Sequence, residues 1–203
     1  MTIQLHSRDL PDGLDLGAVV AIDTETMGLS LSRDRLCLVQ LSGGDGTAHL
    51  VQVDRADPRA PNLTRLLADE RVLKVFHFAR FDIAMLKRTF GVTARPVYCT
   101  KIASKLTRTF TDKHGLKDLS KELLGVELSK QQQSSDWGAP NLSEEQLRYA
   151  ASDVLYLHQL KERLDEMLAR EGRTALAEAC FRFLPARAEL DLAGWGEIDI
   201  FEH

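Results

Sequence analysis

The chain reads as α/β: a mixed sheet with an antiparallel meander, flanked by helices. Two observations predict this. Short runs rich in β-branched residues, separated by turn-formers, fill the chain up to Phe76, and helical periodicity takes over from about Thr100. Ala18-Val19-Val20-Ala21-Ile22-Asp23 is the first strand, and Arg35 to Leu41 the second. The turn cluster Gly43-Gly44-Asp45-Gly46 follows, then an alternating run from Thr47 to Val53, which gives three antiparallel strands in succession. Asn62 to Ala68 predicts a short helix. Val72 to Phe76 predicts a buried strand, and a helix runs from about Ala79 to Phe90 with Gly91 placed to end it. Later helices are expected over Thr100–Thr107 and over Leu116–Leu124, stopped by Gly125. Lys130 to Pro140, rich in Gln and Ser, is expected as loop. Ser143 and Gln146 form a capping box that opens a long helix to about Ala169. Thr174 to Leu184 and onward is again helical, with Pro185 as punctuation.

The 203 residues fit one domain, with core motifs over about 18–168 and a helical extension over 172–203. A hydrophobic share of 44% is enough for a core and too high for a disordered chain. No apolar run approaches the roughly 20 residues that span a bilayer, and Met1 to Leu10 has no signal-peptide pattern. Cys37, Cys99 and Cys180 lack any zinc spacing and read as packed thiols in a reducing cytoplasm. The net charge of −4 argues against tight, sequence-blind binding of long duplexes. A nuclease remains compatible with it, because a metal cage needs acids and bound cations reverse the local field.

Three acidic sites carry the chemistry. Asp23 and Glu25 stand two apart at a strand end, so they face one side and repel each other unless a cation joins them. Such a pair is common by chance, but here it emerges directly from an apolar strand. Asp82 falls in the first turn of a helix, where the dipole alone would favour an acid. The rings of His77, Phe78 and Phe81 surround it, as core or as stacking faces for bases. Tyr149 and Asp153 lie four apart on the long helix and share a face. Gathered at one point, four hard oxygen donors without His or Cys suit two Mg²⁺ or Mn²⁺ ions better than Zn²⁺. That is equipment for metal-assisted phosphodiester cleavage.

The stretches Ala21-Ile22-Asp23-Thr24-Glu25-Thr26-Met27-Gly28-Leu29, Phe76-His77-Phe78-Ala79-Arg80-Phe81-Asp82 and Leu147-Arg148-Tyr149-Ala150-Ala151-Ser152-Asp153-Val154 carry a resemblance. In this order they resemble the DEDDy class of 3'-5' exonucleases, in its ribonuclease D-like branch. His114 to Leu119 and Ser129 to Trp137 are similar to that branch as well. Cys99 to Ser104 and Lys130 to Trp137 resemble its small dinucleotide-degrading members, and the segment after the last motif is too short for the helical RNA-binding domains of ribonuclease D.

The resemblance implies a ribonuclease H-like (DnaQ-like exonuclease) fold. It implies that Asp23, Glu25, Asp82 and Asp153 hold two divalent ions, with Asp23 bridging, and that Tyr149 orients the attacking water. Backbone at Thr26 and Met27 would meet the 3'-terminal sugar. Leu29 would wedge between two bases, its alternative being an ordinary loop leucine. His77, Phe78 and Phe81 would flank a base. Lys101 to Lys130 holds seven Lys or Arg against four Asp or Glu, and Arg108, His114, Lys130 and Gln133 are candidates to cap a 5' phosphate. The expected substrate is short RNA, preferentially a dinucleotide. A broader exonuclease on longer RNA or single-stranded DNA, and a non-catalytic nucleic-acid-binding module, stay open. A homo-oligomer is expected, a dimer at least and an octamer by resemblance. The apolar tail with Leu184, Leu190, Leu192, Trp195, Ile198 and Phe201 would supply an interface or pack on its own domain.

Overall fold

In the structure, a computed structural model that describes residues 1–129 and 131–202, the apolar runs pair into one mixed sheet. Its strands are Thr2–Ser7 (β1), Val19–Thr26 (β2), Leu36–Ser42 (β3), Thr47–Gln52 (β4), Leu73–Phe76 (β5) and Val97–Cys99 (β6). The order is β1-β4-β3-β2-β5-β6. β2, β3 and β4 form the expected antiparallel meander, and β5 and β6 add parallel to β2. β3 is buried along its whole length, which explains its nearly continuous apolar sequence.

Two strands were not predicted. β1 pairs in parallel with β4 at the sheet edge and is mostly exposed, so burial left little pattern in its sequence. β6 has three residues, too few for any period.

The helices are Pro61–Ala68 (α1), Ala79–Phe90 (α2), Thr100–Thr107 (α3), Leu116–Leu119 (α4), Glu144–Leu155 (α5), Leu157–Arg170 (α6) and Thr174–Leu192 (α7). Gly91 ends α2 at φ 72°, a left-handed conformation open to glycine at no steric cost. The capping box at α5 forms as expected: Ser143 Oγ accepts from the Gln146 N–H at 3.2 Å, and Gln146 Oε1 accepts from the Ser143 N–H at 2.9 Å. α5 covers the meander, and α2 packs between the sheet and α7.

Three helical expectations change. The helix from Leu116 loosens into a π-type turn over Ser120–Leu124 before Gly125. The long helix breaks at Tyr156, which lets α5 lie on β2, β3 and β4 while α6 turns against α3 and β5. His158, just after the break, ties the turn to the sheet by donating from Nε2 to the Val19 carbonyl at 3.0 Å. Pro185 does not punctuate α7. Ala177, Phe181, Leu184 and Ala188 form one buried stripe across it, and continuous packing outweighs the lost N–H. Cys37 and Cys99 are buried free thiols and Cys180 is half-buried. Among the described residues no helix is long and apolar enough to cross a membrane.

Candidate active site

β2 emerges from the core through Val20, Ala21 and Ile22, all fully buried, and delivers Asp23 and Glu25 half-exposed on the face covered by α5. From α5, Asp153 meets them. One oxygen from each of Asp23, Glu25 and Asp153 lies within 4.8 Å of the others. Asp82 is brought in differently. Thr24 points to the opposite face of β2 from its two acidic neighbours, and its hydroxyl donates to Asp82 Oδ1 at 2.6 Å. Asp82 is buried and sits close enough to Asp23 and Glu25 to repel their charge. Three of the four acids thus share a point, and Asp82 adjoins them from the Thr24 side.

The electrostatics follow from this crowding. Burial pushes Asp23 up to about 7. Burial, then the charges of Asp23, Asp153 and Asp82, push Glu25 up to about 10. Asp82 and Asp153 are also held well above the ordinary carboxylate range by burial and by Asp23. Protons hold such a group together only until cations replace them. All the donors are carboxylate oxygens, the chemistry that suits Mg²⁺ or Mn²⁺.

Tyr149 lies beside this cluster. Burial first, then Asp153, Glu25 and Asp23, raise its pKa above the ordinary phenol value, so at neutral pH it keeps its proton and acts as a donor. Its ring packs against buried Trp137, with centroids 5.9 Å apart.

The substrate candidates divide. Leu29 is 83% exposed and Met27 49% exposed. The Met27 N–H donates to the Arg35 carbonyl at 3.0 Å. The Thr26 hydroxyl donates to the Gly28 carbonyl at 2.5 Å. Thr100 gives its hydroxyl proton to the Phe76 carbonyl, so the His77 Nδ1–H donates to Thr100 Oγ1 at 2.9 Å and leaves Nε2 bare. Burial and then Lys101 lower His77 to about 3, which keeps it neutral. Phe78 caps α2 at φ 66°, unusual for a bulky residue, and offers an exposed ring with the Lys101 ammonium 4.2 Å from its centroid. Phe81 is half-buried and packs against the core.

Of the four candidates to cap a 5' phosphate, Arg108 is the one whose position argues against it. Arg108 is 1% exposed, and its guanidinium is spent on Ser104 Oγ, the Lys113 carbonyl and Glu122. A buried arginine with all these partners is a brace, because freeing it would strand Glu122 and two acceptors. His114 Nδ1 joins the same cluster at Ser104 Oγ, 2.8 Å away. Gln133 is exposed on its loop, and Lys130 lies outside the described residues.

Three further side chains adjoin these residues without a motif to mark them. Thr24 separates two acids in the sequence, and strand alternation places it on the other face. Gln40 stands directly across from Asp23 in the β2–β3 register, fully buried, with neither amide atom hydrogen-bonded. A buried polar side chain in the middle of an apolar strand was its signal. Lys101, over Phe78, had no local signal. A cavity of about 920 Å³ between β6, α6 and α7 is lined by none of the four site acids, so donor chemistry locates this site where that concavity does not.

Comparison with known proteins agrees with this geometry. A family profile described as 3'-5' exonuclease matches residues 7–169. Ribonuclease D of Granulibacter bethesdensis is 38% identical over 161 residues, 77% of this chain and 39% of that protein. The chain thus spans about two fifths of the length of that curated relative. Brucella melitensis NrnC with bound Mg²⁺ superposes with a TM-score of 0.96 at 58% identity, covering 100% of both chains. Brucella melitensis NrnC bound to pGG gives 0.97 at 59% identity, covering 100% of this chain and 99% of that one.

Proposed function

This chain belongs to the 3'-5' exonuclease family, and from that premise we propose that it hydrolyses very short RNA from the 3' end, preferring dinucleotides. The observation that carries the reading is the meeting of Asp23, Glu25 and Asp153 within 4.8 Å beside the Tyr149 hydroxyl. Support for the dinucleotide preference comes from the similarity along the whole chain to NrnC bound to pGG.

Asp23, Glu25 and Asp153, with Asp82 adjoining, would hold two Mg²⁺ or Mn²⁺ ions. Bound there, the ions supply an acidified water and neutralise charge on the phosphate. Protonated Tyr149 would donate to an attacking water or to the phosphate and fix its approach, with Trp137 packed against the Tyr149 ring. Thr24 keeps the Asp82 carboxylate turned toward the cluster. Leu29 would stand between the two bases, and the exposed face of Phe78 would stack on one of them. The bare Nε2 of neutral His77 is an acceptor for a hydroxyl.

Kinship with ribonuclease D favours a second reading, a broader exonuclease on longer RNA or single-stranded DNA. A length series of 5'-labelled oligonucleotides with Mg²⁺ or Mn²⁺ separates the two. Equal rates on two-mers and seven-mers overturn the dinucleotide preference. No hydrolysis of any length with either metal overturns the enzyme and leaves a binding module. The exposed Phe183, Trp195, Ile198 and Phe201 favour self-association, a dimer at least and an octamer by resemblance. Light scattering that finds a monomer would sink this last point.

A further inference from the structure

The loop after β2 presents an apolar side chain to solvent, yet it is tied down at nearly every residue. Leu29 is 83% exposed at its tip. The Ser30 N–H donates to Asp34 Oδ2 at 2.9 Å, and Arg33 grips the same carboxylate at 2.7 and 2.9 Å. Gly28 leaves room for that carboxylate, since a Cβ there would sit 2.3 Å from Asp34 Oδ2. The remaining tether comes from outside the loop. Arg88, near the end of α2, donates from Nη1 to the carbonyls of Leu31 and Asp34, the latter at 2.9 Å. Its Nη2 donates to the Ser32 carbonyl at 2.8 Å. One planar guanidinium thus holds three backbone carbonyls of this one loop, a task its fixed fork suits and an ammonium does not.

Ordering a surface loop costs conformational entropy, and an exposed leucine recovers none of it in the free protein. The order becomes useful when a ligand meets Leu29 already in place. We propose that Arg88 is a positioning residue, bracing the loop from the helix that also carries Asp82, so that Leu29 stands at a set place for a substrate with two bases. The inference rests on the reading of Leu29 as the wedge between those bases.

The test compares a dinucleotide with the p-nitrophenyl ester of thymidine 5'-monophosphate, which has one base and nothing for Leu29 to separate. With Arg88→Ala, the dinucleotide KM is expected to rise about tenfold while kcat stays within about twofold. Hydrolysis of the ester and the melting temperature are expected to hold. Leu29→Ala raises the dinucleotide KM similarly, and the double variant is no worse than either single one, because both remove one interaction. Arg88→Lys falls between wild type and Arg88→Ala. An unchanged dinucleotide KM overturns the inference, as does additivity with Leu29→Ala. Equal losses on both substrates make Arg88 a general brace of α2 and also overturn it. Wild-type protein that cleaves the ester but no dinucleotide sinks the proposed substrate instead, a result distinct from any failure of Arg88.

Discussion

Two parts of this molecule bury carboxylates under opposite terms. On α7, the Asp191 side chain is 4% exposed and is met by two guanidiniums. Arg80 binds it at 2.5 and 2.6 Å, and Arg187 at 2.6 and 3.0 Å. Burial works to raise its pKa, but the two arginines hold it below the ordinary range. Across α2, Asp82 of the candidate site is buried and Asp23, Glu25 and Asp153 are half-buried, and no ion pair among the described residues includes any of the four. Their pKa values move the other way. The fold satisfies a carboxylate where it serves as a clamp, and leaves negative charge without a cationic partner at the acids proposed to hold a divalent ion. Arg80 lies two residues before Asp82, so the satisfied site steadies the helix that serves the unsatisfied one.

The comparison breaks most severely when a ligand is removed. Asp23→Ala or Asp153→Asn is expected to cost far more than the roughly 10–100-fold lost with an outer partner, and calorimetry should show weakened Mg²⁺ binding. Tyr149→Phe is expected to slow turnover about 100-fold by misplacing the water, with Mg²⁺ affinity within about threefold of wild type. A matching loss of metal binding would show that Tyr149 shapes the carboxylates instead. Thr24→Val removes the hydroxyl on Asp82, and a rate loss of about 10-fold is expected, checked by kcat at saturating Mg²⁺.

Proton linkage sharpens the contrast. Without metal, the folded state holds protons on Asp23 up to about pH 7 and on Glu25 up to about pH 10, whereas the unfolded chain releases them near 3.8 and 4.5. Folded carboxylates with raised pKa values destabilise the fold progressively as pH climbs through that window. Added Mg²⁺ should therefore raise the melting temperature more at pH 8 than at pH 5, and a gain independent of pH would contradict this unpartnered negative charge. The smallest effect belongs to the satisfied site. Asp191→Asn is expected to cost about 1–3 kcal/mol, moderated because the Arg80 side chain is 37% exposed. Its melting temperature should fall whether or not Mg²⁺ is present.

Much of this was legible along the chain, for reasons of range. The meander, α2 with Gly91, and the Ser143–Gln146 box depend on periods and caps that span only a few residues. β1 and β6 were not legible, since an exposed edge and a three-residue strand owe their form to partners elsewhere. The break at Tyr156 answers to what lies beneath α5 and α6, and no breaker residue marks it. Arg108 looked like a phosphate ligand because its segment is basic, but its burial with Glu122 depends on how α3 meets the turn after α4.

By itself the sequence determined which side chains could bind metal and the local elements that bear them, because residue identity and hydrophobic period are properties of short stretches. Only the tertiary structure decided that Asp153 would join Asp23 and Glu25, that Thr24 would hold Asp82 from 58 positions away, and that Asp191 would meet Arg80 across 111. Such contacts form only when packing closes long loops of chain, and the entropy of closing them is repaid by the assembled core and not by any one segment.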